Sequence, residues 1–317
     1  MTLGKNILLV GASQMAVDYY RVLFAMGHEV VVVGRSEDSA QEFQSKTQHP
    51  VTIGGIQRYC EEQKDVKFHA AIVAVGMEQI YSTTIALLHF GIRHILIEKP
   101  GGMNADEISK LSHEAKRLNA EIYVAYNRRF YSSIKKAKEI ILEDGGVESF
   151  HFEFTELAHK IEGLVKKEGI KEAWFLGNST HVVDLAFYLG GKPTILHALA
   201  EGSLSWHPKS NFVGSGKSKN GALFTYHANW AAPGRWVVEV ITKHHRLLFK
   251  PLEKLKVQRK GSMEIEDIVL EDEMDKSFKP GLFKQVEAFL NRDYQHMKSI
   301  EEQKSDMVIY DTIIRGN

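Results

Sequence analysis

From residue 6 to about residue 125, short apolar runs alternate with segments whose apolar positions recur at helical spacing, the signature of successive strand–helix units that build a parallel sheet. The pattern predicts strands over 6–10, 29–33, 70–75, 95–97 and 121–124, and helices over 14–26, 81–90 and 105–118. Beyond that the period changes. Phe150, Phe152 and Phe154 alternate with Ser149, His151, Glu153 and Thr155, the period of two of a sheet with one covered face. Further strands are predicted over 194–204, 222–230 and 235–249, with little helix between them. The stretch 207–221, rich in Ser, Gly, Lys and Asn, reads as a long flexible hairpin connection. Helices over 282–291 and 300–314 close the chain, and no internal repeat is visible. The pattern therefore predicts an α/β domain with a doubly wound parallel sheet over 1–122, then an α+β domain over 123–317 whose last helices can pack back on the first.

Composition narrows the class. With 317 residues, 44% hydrophobic and 25% charged, the chain is globular and long enough for two ordinary domains. Forty Lys plus Arg balance forty Asp plus Glu, so no global field attracts nucleic acid or an anionic membrane. Apolar runs such as 7–10 and 30–33 fall far short of the ~20 residues that span a bilayer. The N-terminus runs into a strand with no small-residue cleavage site, which argues against a secretory signal. Cys60 is the single cysteine, so no intramolecular disulfide can form and a reducing cytoplasm is the natural compartment.

The first chemical signal is Gly11-Ala12-Ser13-Gln14-Met15-Ala16, which follows an apolar strand and opens a helix. In that context a glycine-rich turn brings backbone N–H groups and a helix N-terminus to a pyrophosphate. Ser13 replaces the second glycine of the usual motif and Ala16 the third; both are small. The second strand ends in Gly34-Arg35-Ser36, where an NAD-selective site places a carboxylate for the ribose 2′-OH. Here Gly34 leaves room, and Arg35 and Ser36 offer a cation and a hydroxyl to a 2′-phosphate, so NADP is favoured and NAD remains possible. The ends of two neighbouring strands, Val75-Gly76 and Glu98-Lys99, complete the expected cofactor contacts. The second signal is Glu98-Lys99-Pro100-Gly101-Gly102. A Lys at the carboxyl edge of a parallel sheet points into the crevice where ligands bind, and its ammonium can donate to a substrate oxygen.

Glu98-Lys99-Pro100, between that glycine turn and Tyr126-Asn127-Arg128-Arg129-Phe130, resembles the Gfo/Idh/MocA family, the relatives of glucose-fructose oxidoreductase and inositol dehydrogenase. The resemblance extends to Asn178-Ser179-Thr180-His181-Val182-Val183-Asp184, which looks like the family's helix bearing His-x-x-Asp. It implies an N-terminal Rossmann domain and a C-terminal domain on a large, mainly antiparallel open sheet, often used to form oligomers, here a homodimer or homotetramer. It further implies an NAD(P)-dependent dehydrogenase acting on a sugar, sugar derivative or cyclic polyol. In that reading Lys99 hydrogen-bonds the reacting hydroxyl, His181 takes its proton, and Asp184, three residues on and on the same helix face, binds a substrate hydroxyl or biases His181. Two departures stand out. Many members carry an Asp four residues before the His, where this chain has Gly177 followed by Asn178. The family's Asn-x-x-His stretch after the fourth strand is replaced by Gly76-Met77-Glu78-Gln79-Ile80-Tyr81.

Substrate contacts are expected from Asn127, Arg128, Arg129 and Asn178, the two arginines suiting an acidic or phosphorylated molecule. Lys217 and Lys219 read as a solvated loop. No metal site is expected, since no His falls in a ligand spacing and His244-His245 sits in a strand pattern that points neighbours to opposite faces. Cys60 reads as incidental, and Trp206, Trp230 and Trp236 as core or subunit interface rather than a sugar-stacking surface. Two other functions fit the same motifs: nicotinamide-assisted glycoside cleavage or epimerisation without net cofactor turnover, and a non-catalytic NADP(H) sensor, which the Gly177 departure favours.

Overall fold

The computed structural model describes residues 4–317 and divides into two compact units. One takes the chain up to Asn127 and again Met274–Ser305; the other takes Arg128–Glu273 and Asp306–Asn317. The expected cut at residue 122 falls inside a strand already hydrogen-bonded to its neighbour, which is why the division lies beyond it.

In the first unit, β1 (Asn6–Val10), β2 (Glu29–Gly34), β3 (Thr52–Ile53), β4 (Ala70–Val73), β5 (His94–Ile97) and β6 (Glu121–Val124) form a parallel sheet in the order β6-β5-β4-β1-β2-β3. The connecting helices are α1 (Gln14–Ala25), α2 (Glu37–Thr47), α3 (Gly55–Glu62), α4 (Met77–Phe90) and α5 (Ala105–Arg117). Helices on both faces bury every residue of β4 and β5, so these strands are continuous apolar runs instead of alternating ones. The chain runs outward from β1 to β3 and then crosses back to β4, so the crevice between β1 and β4 is the switch point of the sheet. Helices α2 and α3 escape the hydrophobic pattern because each buries only two side chains, Ala40 and Phe43 in one, Ile56 and Tyr59 in the other.

In the second unit, β7 (Val147–Glu153) lies at the centre of an eight-stranded sheet of order β14-β13-β12-β11-β7-β10-β9-β8. The other strands are β8 (Pro193–Glu201), β9 (Asn211–Ser218), β10 (Leu223–Asn229), β11 (Val237–Thr242), β12 (His245–Phe249), β13 (Lys256–Arg259) and β14 (Ile265–Asp267). All neighbours are antiparallel except β7 and β10. Helices α6 (Ser132–Glu143), α7 (Ala158–Glu162) and α8 (Thr180–Gly190) belong to this unit, with α8 against β7 and β11. The inward residues are aromatic: Phe150 stacks on Phe224 and Phe152 on Tyr226, each at 5.2 Å between centroids.

Two expectations change here. Most of the predicted loop 207–221 is the strand β9, and its glycines are the reason. A Cβ on Gly214 would come within 2.4 Å of the Tyr226 ring, and one on Gly216 within 2.6 Å of the Phe224 ring. The rings of β10 thus lie across glycines that read as flexibility in the sequence. Likewise 235–249 is a hairpin of two strands, so His244 occupies its turn and not a strand face, while His245 meets Asp144 through Nδ1 at 2.7 Å.

The returning segment contains α9 (Glu273–Ser277), α10 (Leu282–Leu290) and the short strand β15 (Lys298–Ser299), followed by α11 (Ile300–Arg315). Within the first unit α10 packs on α1, burying Leu282, Val286, Phe289 and Leu290, and β15 adds an antiparallel edge to β6.

Candidate active site

The cofactor-facing half is built at the switch point. Gly11 has φ +122°, and a Cβ there would lie 2.3 Å from the Ala74 carbonyl oxygen, so only glycine lets the turn after β1 pass the end of β4. Ala12 is buried beneath it. Ser13 is the N-cap of α1, yet its hydroxyl makes no capping bond and leans instead to Ala74 O at 3.4 Å. The first turn, starting with Gln14 and Met15, contains no acidic residue. Its N–H groups and the positive end of the helix dipole are therefore left to an anion, and these residues fit a dinucleotide pyrophosphate. Gly34 closes β2 against Val51 and Ala12. Arg35 and Ser36 are exposed beyond it, and Ser36, the N-cap of α2, shares a hydrogen bond of 2.7 Å with Ser39. Val75 is half-buried after β4, and Gly76 is the N-cap of α4.

Two lysines that sequence reasoning missed flank the glycine turn. Lys46 Nζ donates to Gln14 Oε1 at 2.8 Å. Lys279 Nζ lies 2.9 Å from Met15 Sδ and 3.8 Å from Asp18. One sits on a polar helix face and the other is brought by the returning segment, so neither carries a local signal.

At the end of β5, the Glu98 amide donates to Val73 O at 2.9 Å and the Tyr19 hydroxyl donates to Glu98 Oε1 at 2.8 Å. Burial raises the Glu98 pKa, against the opposing charge of Lys99. Lys99 thus follows a residue tied through its carboxyl group to α1 and through its amide to β4, and the Lys99–Pro100 peptide bond is cis. Asn127 Nδ2 donates to Pro280 O at 2.8 Å and so holds the returning segment.

The remaining candidates lie in the second unit. Arg129 grips Asp184 through two bonds, Nε to Oδ2 at 2.8 Å and Nη2 to Oδ1 at 2.7 Å, with both side chains buried. Arg129 and Asp184 thus form a buried bidentate pair that ties α8 to the segment before α6. A π-helical turn, Phe175–Ser179, precedes α8. Asn178 Nδ2 reaches both oxygens of Glu156 at 3.0 Å, and Ser179 Oγ donates to Glu156 Oε1 at 2.8 Å. Glu156 is only 2% exposed, and burial raises its pKa despite these donors and Arg235 at 3.8 Å. Glu156 is a functional candidate that sequence reasoning missed, because a lone Glu after β7 has no motif around it. His181 stands in the first turn of α8, buried, with its ring 6.2 Å from that of Trp236. Trp206 and Trp230 are buried and stack on each other at 5.8 Å. Burial pushes the Cys60 thiol up to about 11, which keeps it from acting as a nucleophile near neutral pH.

Residues 5–126 match the GFO_IDH_MocA family model, described as "Oxidoreductase family, NAD-binding Rossmann fold". Trans-1,2-dihydrobenzene-1,2-diol dehydrogenase of Mus musculus is 28% identical over 139 residues, 43% of this chain and 40% of that protein. Myo-inositol 2-dehydrogenase of Thermotoga maritima is 25% identical over 134 residues, 42% of this chain and 40% of that protein. The matched stretch thus spans about two fifths of the length of these relatives. In fold the likeness is nearly complete: levoglucosan dehydrogenase, solved with NADH and L-sorbose, superposes with a TM-score of 0.77 over 98% of this chain and 95% of its own, at 18% identity.

Proposed function

We propose, for a chain whose residues 5–126 belong to the Gfo/Idh/MocA oxidoreductase family and form its NAD-binding Rossmann domain, that the protein is an NADP-preferring dehydrogenase or reductase acting on a secondary alcohol or ketone of a sugar, sugar derivative or cyclic polyol. The observation that carries this reading is the switch-point turn: Gly11 in a conformation and contact only glycine allows, beside a helix N-terminus with no acidic residue. The NADP preference rests on Arg35, exposed at the end of β2 where a carboxylate would otherwise bind the 2′-OH. Gly11 to Met15 hold the pyrophosphate, Gly34 to Ser36 the adenosine end, and Val75, Gly76, Glu98 and Lys99 line the edge beyond. When bound, the nicotinamide accepts or returns a hydride equivalent.

The chain's own residues do the proton work. Lys99 donates a hydrogen bond to the reacting oxygen, and His181 takes the hydroxyl proton in one direction and returns it in the other, since imidazole titrates near neutrality. Asn127, Asn178 and the arginines contribute to orienting the substrate, Asn178 and Arg129 through the contacts described above. The relatives named above, one acting on a dihydrodiol and one on myo-inositol, support the substrate class. We further propose a homodimer or homotetramer formed through the second sheet, in the cytoplasm.

Parallel fluorescence titrations of NADPH and NADH, on the protein and on Arg35→Ala, test the reading. NADPH should bind tighter, and the advantage should fall about tenfold or more in Arg35→Ala, as for loss of a charge-assisted phosphate contact. Failure of both nucleotides to bind, with none released on denaturation, sinks the dehydrogenase reading.

A further inference from the structure

Arg128 and Trp236 pose a question that the reaction as described does not answer. The Nε of Arg128 and the Nε1 of Trp236 are enclosed, and neither donates a hydrogen bond to any described residue. Buried donors are almost always satisfied, because an unpaired buried donor has given up its water without a replacement. The two belong to one cluster. The Arg128 guanidinium lies over the Trp236 ring at 4.9 Å, and that of Arg235 over the same ring at 4.4 Å. Two cations thus share one indole, an arrangement that is repulsive without an anion. Burial lowers the Arg128 pKa and Arg235 adds to the shift, with Tyr131, Glu253 and Glu156 opposing it.

The carboxylates nearby leave the charge unbalanced. Glu156 faces Arg235 at 3.8 Å but is already held by Asn178 and Ser179. Glu253 is exposed, and its contact is with the Tyr131 hydroxyl at 3.4 Å. Arg128 forms no ion pair among the described residues, and Glu253, whose charge acts on it, sits at an exposed position, so the enclosed part of the cluster sets two guanidiniums against one carboxylate, Glu156. A carboxylate on a ligand supplies both the missing acceptor and a countercharge. His181, the proposed proton acceptor, is a ring neighbour of Trp236, which sets this cluster beside the reacting group.

We infer that Arg128, Arg235 and Trp236 form a subsite that binds a carboxylate group on the substrate, making the preferred substrate an acidic sugar. The inference rests on the dehydrogenase reading for its placement but not for its test. Calorimetric titration of the full chain with D-glucuronate, D-galacturonate, their neutral parents D-glucose and D-galactose, and D-glucose 6-phosphate reads binding without turnover. At least one uronate should bind about tenfold or more tighter than its parent sugar, and Arg128→Met should abolish that preference. Arg235→Gln, at a half-exposed position, provides a second variant that should keep its fold and lose most of it. No uronate preference, or a preference that survives both variants, overturns the subsite; tighter binding of the phosphate than of either uronate overturns the carboxylate assignment. A uronate preference in a protein that binds neither NADPH nor NADH supports the subsite while the dehydrogenase reading falls.

Discussion

Arg129 and Asp184 are 55 positions apart in the chain, and their two short bonds are made where water is excluded. Removing one partner leaves the other charge buried and unpaired, a cost of about 3–5 kcal/mol. Asp184→Asn or Arg129→Met should therefore shift the urea midpoint sharply downward, and the double variant Arg129→Met/Asp184→Leu should recover much of the loss. A normal midpoint with selective loss of turnover would return Asp184 to the role of substrate ligand. The spacing His181-x-x-Asp184 was legible as a motif, but its partner was not, since nothing in the local pattern says which Arg of Arg128-Arg129 turns inward. The same holds for Gly177. The carboxylate absent there is supplied to this turn by Glu156, which only the packing of β7 against the α8 N-terminus brings within 3.0 Å of Asn178.

At the level of elements, β9 shows how composition misleads. Ser and Gly are common in connections, yet Gly214 and Gly216 are where the Tyr226 and Phe224 rings cross the strand. A Cβ on Gly216 would also lie 1.9 Å from Ile195 O on β8. Gly216→Ala should lower stability by at least the ~1–3 kcal/mol typical of overpacking, whereas Lys217→Ala, exposed on the same strand, should stay within about 0.5 kcal/mol. Thermal unfolding of the two variants compares them directly, and equal melting temperatures would place the glycines in a tolerant loop after all. Strands β1, β4 and β5 were legible because burial on both faces demands continuous apolar runs, while β3, with both residues exposed, and α2 and α3, each burying only two side chains, were not.

Across the whole molecule, the outward face of the second unit's sheet carries Leu199, Val213 and Leu223, 66%, 49% and 62% exposed, with Leu199 directly opposite Val213 in the β8–β9 ladder. The Leu199–Val213 pair, with Leu223 farther along the same sheet, supports the proposed subunit interface. Leu199→Lys together with Val213→Lys should convert the oligomer to a monomer in light scattering, with little change in unfolding midpoint; an unchanged mass puts the interface elsewhere. The sequence by itself determined the α/β then α+β order, the glycine turn at the switch point and the Lys that ends β5, because each rests on spacings within a few residues. The tertiary structure alone decided that Lys279 reaches Met15, that Asp184 is bound to Arg129, and that Glu156, Arg235 and Trp236 gather near His181. Those contacts join residues tens to hundreds of positions apart, and what selects them is the balance of burial and charge in the folded interior, which no local pattern records.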